Sequence, residues 1–299
     1  MASPASALAP SGPLAAPQRA RGVGLMVLAT LSFTANVLLI RELGRFMAVN
    51  VWLLTSVRFV VGLGFLAIFY RRDFQPGHLF RNRKLFERGA VGAVGVYVAY
   101  VAYVHLGAGR TTFINSTYIF WAALLAAWIF RERLRTITVL GSIAALAGVA
   151  LLTDVFARSS SFNLYDLFAI LSALCSAIVA ITIRQLHATE HTSTIFGAQC
   201  VYGLLLCGPW AALHGQALSA WAWALLILAS VCASAGQLAM TRAYRDLTVA
   251  DGTLMQMLSP IAIAFGGALF FGEQLSLREF VGAALVLAGT ASAALRRQN

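Results

Sequence analysis

The 299-residue chain is 60% hydrophobic and only 11% charged, and its 22 Lys and Arg against 11 Asp and Glu give a formal net charge of +11. Mean hydropathy is +0.78. An ordinary soluble domain, with roughly 25% charged residues, is excluded, because a globular core cannot hide this much apolar surface and lipid can.

Residues 1–21, MASPASALAPSGPLAAPQRAR, are rich in Ala, Pro and Ser and lack an apolar stretch before a cleavage site. They read as a disordered cytoplasmic tail rather than a signal peptide. Ten apolar stretches follow, near residues 23–40, 49–70, 89–107, 112–130, 137–153, 164–183, 193–213, 221–241, 252–271 and 279–295. A crossing helix needs about 20 such residues. The expected fold is therefore an all-α polytopic membrane protein of ten transmembrane helices.

The second stretch, VWLLTSVRFVVGLGF at 51–65, holds Arg58 near its middle. A centred arginine costs about 2.5–3.5 kcal/mol on insertion scales, so it needs carbonyls, water or an acid inside the protein. Two roles stay open for it: tying polar groups of the first half together, or meeting a substrate carboxylate. Between the second and third stretches, RRDFQPGHLFRNRKLFER at 71–88 mixes basic and apolar residues and is expected on the anionic inner leaflet.

The basic residues are distributed unevenly. With a cytoplasmic amino terminus, sixteen Lys and Arg fall in inside segments and five in outside segments, with Arg58 in a span. That bias places both termini in the cytoplasm. The basicity is thus topological, and no nucleic-acid partner is expected. The four cysteines, Cys175, Cys200, Cys207 and Cys232, fit no metal motif, and neither metal nor cofactor is expected.

The chain repeats itself. FRERLRTITVLGSIAALAGVALL at 130–152 and FGEQLSLREFVGAALVLAGTASA at 271–293 share F-x-E-x-L and L-A-G-x-A at an offset of 141 residues. Upstream in the same register, Tyr103 falls on Tyr244, Leu106 on Leu247 and Thr112 on Thr253. Two five-span repeats, 22–153 and 154–299, follow from this. An odd number of spans turns the second copy upside down, an arrangement typical of carriers that rock about a midplane site.

The Arg58-Phe59 pair, the two F-x-E-x-L hairpins and Leu258-Ser259-Pro260 resemble the drug/metabolite transporter superfamily. Within it they are most similar to EamA-type exporters, and nearest to the YddG-type exporters of aromatic amino acids. The resemblance implies a bacterial inner-membrane exporter working by alternating access, with a cavity lined by the first, third, fourth, sixth, eighth and ninth spans. One departure is Ile119, which occupies the register position of Pro260. A kink is therefore expected in the second half alone.

No Asp or Glu lies inside a span, so the buried carboxylate that exchanges a proton for a cationic drug is missing. Exchange or facilitated diffusion is expected instead. The spans do carry amides. Asn36, Asn115, Gln237 and Gln256 either bond helix to helix or contact substrate, while Gln199 is expected to be structural. Tyr97, Tyr100 and Trp121 sit too deep for an interfacial belt, and their register counterparts are Leu238, Thr241 and Ala262. Aromatic walls on one side only would suit a flat substrate with a polar end, although core packing would also explain them.

The substrate-binding candidates are thus Asn36, Tyr97, Tyr100, Asn115, Trp121, Gln237 and Gln256, with Arg58 and Gln199 as structural polar residues. The expected function is export of small metabolites, amino acids first. A phosphate-ester or nucleotide-sugar exchanger and a drug efflux carrier are the alternatives. The scattered histidines and peripheral carboxylates do not form an enzyme's acid, base and nucleophile.

Overall fold

A computed structural model describes residues 16–46, 48–130, 136–153, 162–272 and 274–294. Every regular element among them is a helix. In chain order these are α1 (Ala16–Phe46), α2 (Val51–Phe69), α3 (Pro76–Leu79), α4 (Arg83–Leu106), α5 (Ala108–Ser116), α6 (Tyr118–Phe130) and α7 (Thr136–Leu152). The second half follows with α8 (Leu164–Leu186), α9 (Thr192–Leu213), α10 (Ala220–Asp246), α11 (Val249–Gln256), α12 (Leu258–Phe271) and α13 (Leu277–Ala294). The glutamates of the two F-x-E-x-L hairpins, at 132 and 273, and residues 1–15 of the expected tail lie outside the described residues.

Eight helical segments are long and apolar enough to cross a membrane, counting α5–α6 and α11–α12 as one each. The expected fifth and tenth stretches correspond to α7 and α13, which fall short of that measure. α7 has 17 residues, about 26 Å at 1.5 Å per residue, against a hydrocarbon core of about 30 Å. The two short helices pack on each other. Their glycines allow this: a Cβ on Gly148 would lie 2.5 Å from the Gly282 carbonyl oxygen, and one on Gly282 would lie 2.7 Å from that of Gly148. Backbones that approach so closely gain dispersion contact that lipid cannot supply.

Two boundaries differ from expectation. α1 begins at Ala16, so residues 16–21 are helical rather than part of a tail. α4 begins at Arg83, and Arg88, expected with the basic cluster on the leaflet, is fully buried.

The fourth-span region is broken at Thr117 and the ninth at Met257. The expectation of a kink in the second half alone is therefore corrected. At Met257 the ring of Pro260 follows at the third position of α12, where it removes a backbone donor. At Thr117 no proline is needed. Ser116 Oγ donates to the Thr112 carbonyl oxygen and Thr117 Oγ1 to that of Ile114, each at 2.7 Å, so hydroxyls compete for helical acceptors. Both breaks close through a tight turn, with Thr117 N donating to Ile114 O and Met257 N to Leu254 O, each at 3.1 Å.

Packing couples the two halves throughout. α1 lies on α10, α4 on α8, α2 on α9 and α7 on α13. α4 also meets α9, as α10 meets α2, and α6 meets α8, as α12 meets α1.

Candidate functional site

A cavity of about 260 Å³ opens between the halves. α1 contributes Thr30, Phe33 and Asn36; α4 contributes Gly92, Tyr100 and Tyr103; α5 contributes Thr112, Asn115 and Ser116. From the second half come Ser172, Cys175 and Ser176 of α8, Gln237 and Tyr244 of α10, Gln256 of α11, and Ser259 and Pro260 of α12. The helix breaks bring Ser116, Tyr118, Met257 and Ser259 to its wall.

α2 and α9 each add one residue, Arg58 and Gln199. Both were expected to be structural, yet both reach the cavity. They stand 141 residues apart, the register of the repeat. Other pairs in that register also line it, among them Tyr103 with Tyr244, Asn115 with Gln256 and Tyr118 with Ser259. Recurrence of a polar or aromatic side chain at the repeat offset was the readable signal for Tyr103 and Tyr244, which composition alone does not single out.

The amides are largely engaged. Asn36 Nδ2 donates to the Ala229 carbonyl oxygen at 2.9 Å, joining α1 to α10. Ser172 Oγ donates to Asn115 Oδ1 at 3.1 Å, joining α8 to α5. The Tyr118 hydroxyl lies 2.8 Å from Gln256 Oε1 and 3.1 Å from the Thr253 carbonyl oxygen, crossing between the two broken helices. Gln237 differs: its buried Nε2 has no hydrogen-bond partner, a condition that a polar ligand would relieve. Helix bonding and cavity lining are thus not exclusive for Asn36, Asn115 and Gln256.

Arg58 Nη1 donates to the Tyr100 hydroxyl oxygen at 3.0 Å, and its guanidinium carbon sits 5.8 Å from the Tyr100 ring centroid. One nitrogen is held while the rest of the fork stays near the cavity. No Asp or Glu is among the lining residues, so the cavity is positive.

The other two aromatic candidates are elsewhere. Tyr97 stacks on Trp52 with centroids 4.0 Å apart, and Trp52 stacks in turn against Trp210 at 5.9 Å. Trp121 is 41% exposed on the outer face of α6. Neither lines the cavity. Tyr97 and Tyr100 lie on one helix but point to different neighbours. The spans carrying Tyr97 and Trp121 are apolar all round, so depth alone could not say which face looks inward.

Beyond Thr112 and Ser172 of the cavity wall, on the same helices α5 and α8, an ion pair joins the two halves. Arg110 Nε and Nη2 donate to Asp166 Oδ1 and Oδ2 at 2.7 and 2.8 Å. Beside it the His105 ring stacks on Tyr165 at 3.9 Å.

Comparison with known proteins agrees with this architecture. A solved crystal structure aligns over 92% of this chain and 97% of its own length, with a TM-score of 0.76 at 19% identity, which shows a shared fold. The pseudopaline exporter CntI of Pseudomonas aeruginosa (strain UCBPP-PA14) is 25% identical over 208 residues, covering 68% of this chain and 72% of that protein. The profile of the EamA-like transporter family matches residues 20–154 and again 163–295, one copy for each half of the helical bundle. On that double match, over a chain of membrane-crossing helices around a central cavity, the protein belongs to the EamA-like transporter family.

Proposed function

We propose that this transporter exports amino acids and related small metabolites that carry a carboxylate, working by alternating access as an exchanger or facilitator. The observation that carries the reading is Arg58, a guanidinium at a cavity whose lining includes no acid. A carboxylate is the natural partner of such a fork. Around it, Asn115, Gln237, Gln256 and the serines of α8 offer the neutral donors and acceptors that an amino group and a backbone-sized ligand need. The direction of transport rests on the likeness to an exporter.

A ten-pass, inverted arrangement is part of this proposal. Exchanging each helix for its repeat counterpart turns the α1–α10 contact into the α4–α8 contact, and maps α2–α9 and α7–α13 onto themselves. Such exchange is what a two-fold axis in the membrane plane produces. With the charge asymmetry of the connections, this reading puts the protein in the inner (plasma) membrane with both termini cytoplasmic.

Of the expected aromatic wall only Tyr100 lines the cavity, but Phe33, Tyr103, Tyr118 and Tyr244 line it as well, so an aromatic substrate would still find rings to pack on. A phosphate-ester exchanger is the second reading, favoured by the same guanidinium. A carrier of permanent cations is disfavoured by the positive cavity.

Counterflow in proteoliposomes containing only this protein tests the choice. Preloaded amino acids should accelerate entry of labelled amino acids, with and without a pH gradient. Acceleration by sugar phosphates and not by amino acids would overturn the amino-acid reading in favour of the second one.

A further inference from the structure

A second guanidinium stands behind the cavity wall. Arg88 is fully buried in α4, and Nη2 donates to Gln199 Oε1 at 3.0 Å. Its Nε and Nη1 have no hydrogen-bond partner. No carboxylate forms an ion pair with it among the described residues. Burying a guanidinium without a counter-charge is among the most expensive arrangements in a protein interior. A buried guanidinium of this kind favours an anion beside it.

The surroundings show where it would enter. Gly92, one turn beyond Arg88, and Gln199 both line the cavity, and Gln199 is held in place by donating from Nε2 to the Gly92 carbonyl oxygen at 3.2 Å. Arg88 Nη1 is the atom nearest to where a Cβ of Gly92 would be. Because Gly92 has no side chain, nothing on that residue stands between the cavity and the unpartnered nitrogens.

We infer that Arg88, reached between Gly92 and Gln199, is a second anion subsite of the cavity, so that preferred substrates carry two carboxylates, one at Arg58 and one at Arg88. This rests on the proposed transport of carboxylate-bearing metabolites and narrows it. The spacing fits. Gly92 and the Arg58 partner Tyr100 are eight residues apart on one helix, about 12 Å of rise. A five-carbon diacid with a charge-assisted hydrogen bond of about 2.8 Å at each end spans a similar length.

The test uses glutamate and glutamine, which differ by one carboxylate against one amide. In counterflow the wild-type protein should prefer glutamate by about tenfold or more, the usual scale of a hydrogen bond to a charged group. Gln199→Glu places a carboxylate on Arg88 from within. It should pull the glutamate-to-glutamine ratio toward one while the melting temperature holds or rises. Gly92→Ala, whose methyl would overlap the position of Nη1 and so displace the guanidinium without changing charge, should lower the same ratio, and it serves if Gln199→Glu does not fold.

A wild-type protein that moves neutral amino acids without preferring glutamate, or variants that keep the ratio, would overturn the subsite and leave the proposed function standing. Transport of no amino acid at all would remove both. Replacing chloride by methanesulfonate addresses a resident inorganic ion. A fall in melting temperature on that exchange, with no glutamate preference, would assign Arg88 to chloride and also overturn the subsite.

Discussion

Asp166→Asn should ease opening of the cavity at the end where Arg110 ties the two halves together. The pair is bidentate, and the Asp166 side chain is 1% exposed against 21% for Arg110. Asp166 Oδ2 also accepts from Asn163 N at 2.8 Å as part of the capping box that starts α8. Arg110 belongs to the first repeat and Asp166 to the second, so rocking the halves apart at this end must separate them. Removing one partner of a buried pair costs about 3–5 kcal/mol. Arg110 is partly wet, and both groups regain water once the end opens. About 1–3 kcal/mol of the loss is therefore expected to separate the closed state from the open one, or roughly 5- to 150-fold in population.

The chain supplies its own reporter. Cys175 lines the cavity on α8, three residues beyond Ser172. With Cys200, Cys207 and Cys232 replaced by alanine, a small impermeant methanethiosulfonate added to intact cells reads access from outside. Asp166→Asn should raise the rate of Cys175 modification by a factor in that range, and Arg110→Gln should do the same. Unchanged rates in both variants, with the folded protein present, would make the pair a static fastener and refute its role as a gate.

Three further outcomes follow. Trp121→Ala should leave the preference for phenylalanine over alanine within about twofold in counterflow, as for an outward-facing position without special contacts; a larger change would put the ring back in the substrate path. A cysteine at Gln274, in a background with all four native cysteines, Cys175 included, replaced by alanine, should react with an impermeant reagent on intact cells, and labelling only in inverted vesicles would reverse the topology. His187 follows α8, and Nε2 donates to the Thr241 carbonyl oxygen at 2.6 Å. Burial first, then Arg242 and Arg245, hold its pKa below 6.5, with the hydrogen bond and Asp246 opposing. Below pH 6.5 the unfolded chain therefore takes up this proton before the folded one, and stability falls until the depressed value is passed. His187→Gln should flatten that part of the melting temperature against pH curve, and an unaltered acid limb would rule out this histidine as its source.

Most helices were legible because apolar runs bounded by polar residues mark crossing segments directly. The expected stretches 164–183 and 193–213 end within a few residues of α8 and α9. What hydropathy cannot read is which way a side chain faces. Lipid and protein interior are equally apolar, so Trp121 on the outside and Tyr100 on the inside look alike in sequence. Arg88 shows the same limit from the other direction. In RRDFQPGHLFRNRKLFER it is one more basic residue of a surface cluster. Its burial depends on Gly89, Gly92 and Gly95, which let α9 and α8 approach the face of α4 where it lies.

The two helix breaks carry this point into the mechanism. Sequence comparison of the halves sets Ile119 against Pro260 and suggests that only one half bends. The structure breaks both, because what interrupts a helix is a competitor for its backbone hydrogen bonds, and hydroxyls can compete where no proline stands. Just before each break sits an amide, Asn115 in one half and Gln256 in the other, and both line the cavity. The Tyr118 hydroxyl next to the first break reaches Gln256 next to the second at 2.8 Å. A group bound at those amides thus touches a bendable point of each repeat at once. On the proposed function, a substrate held there would have the differential purchase on the two halves that a ligand needs to bias one arrangement over another.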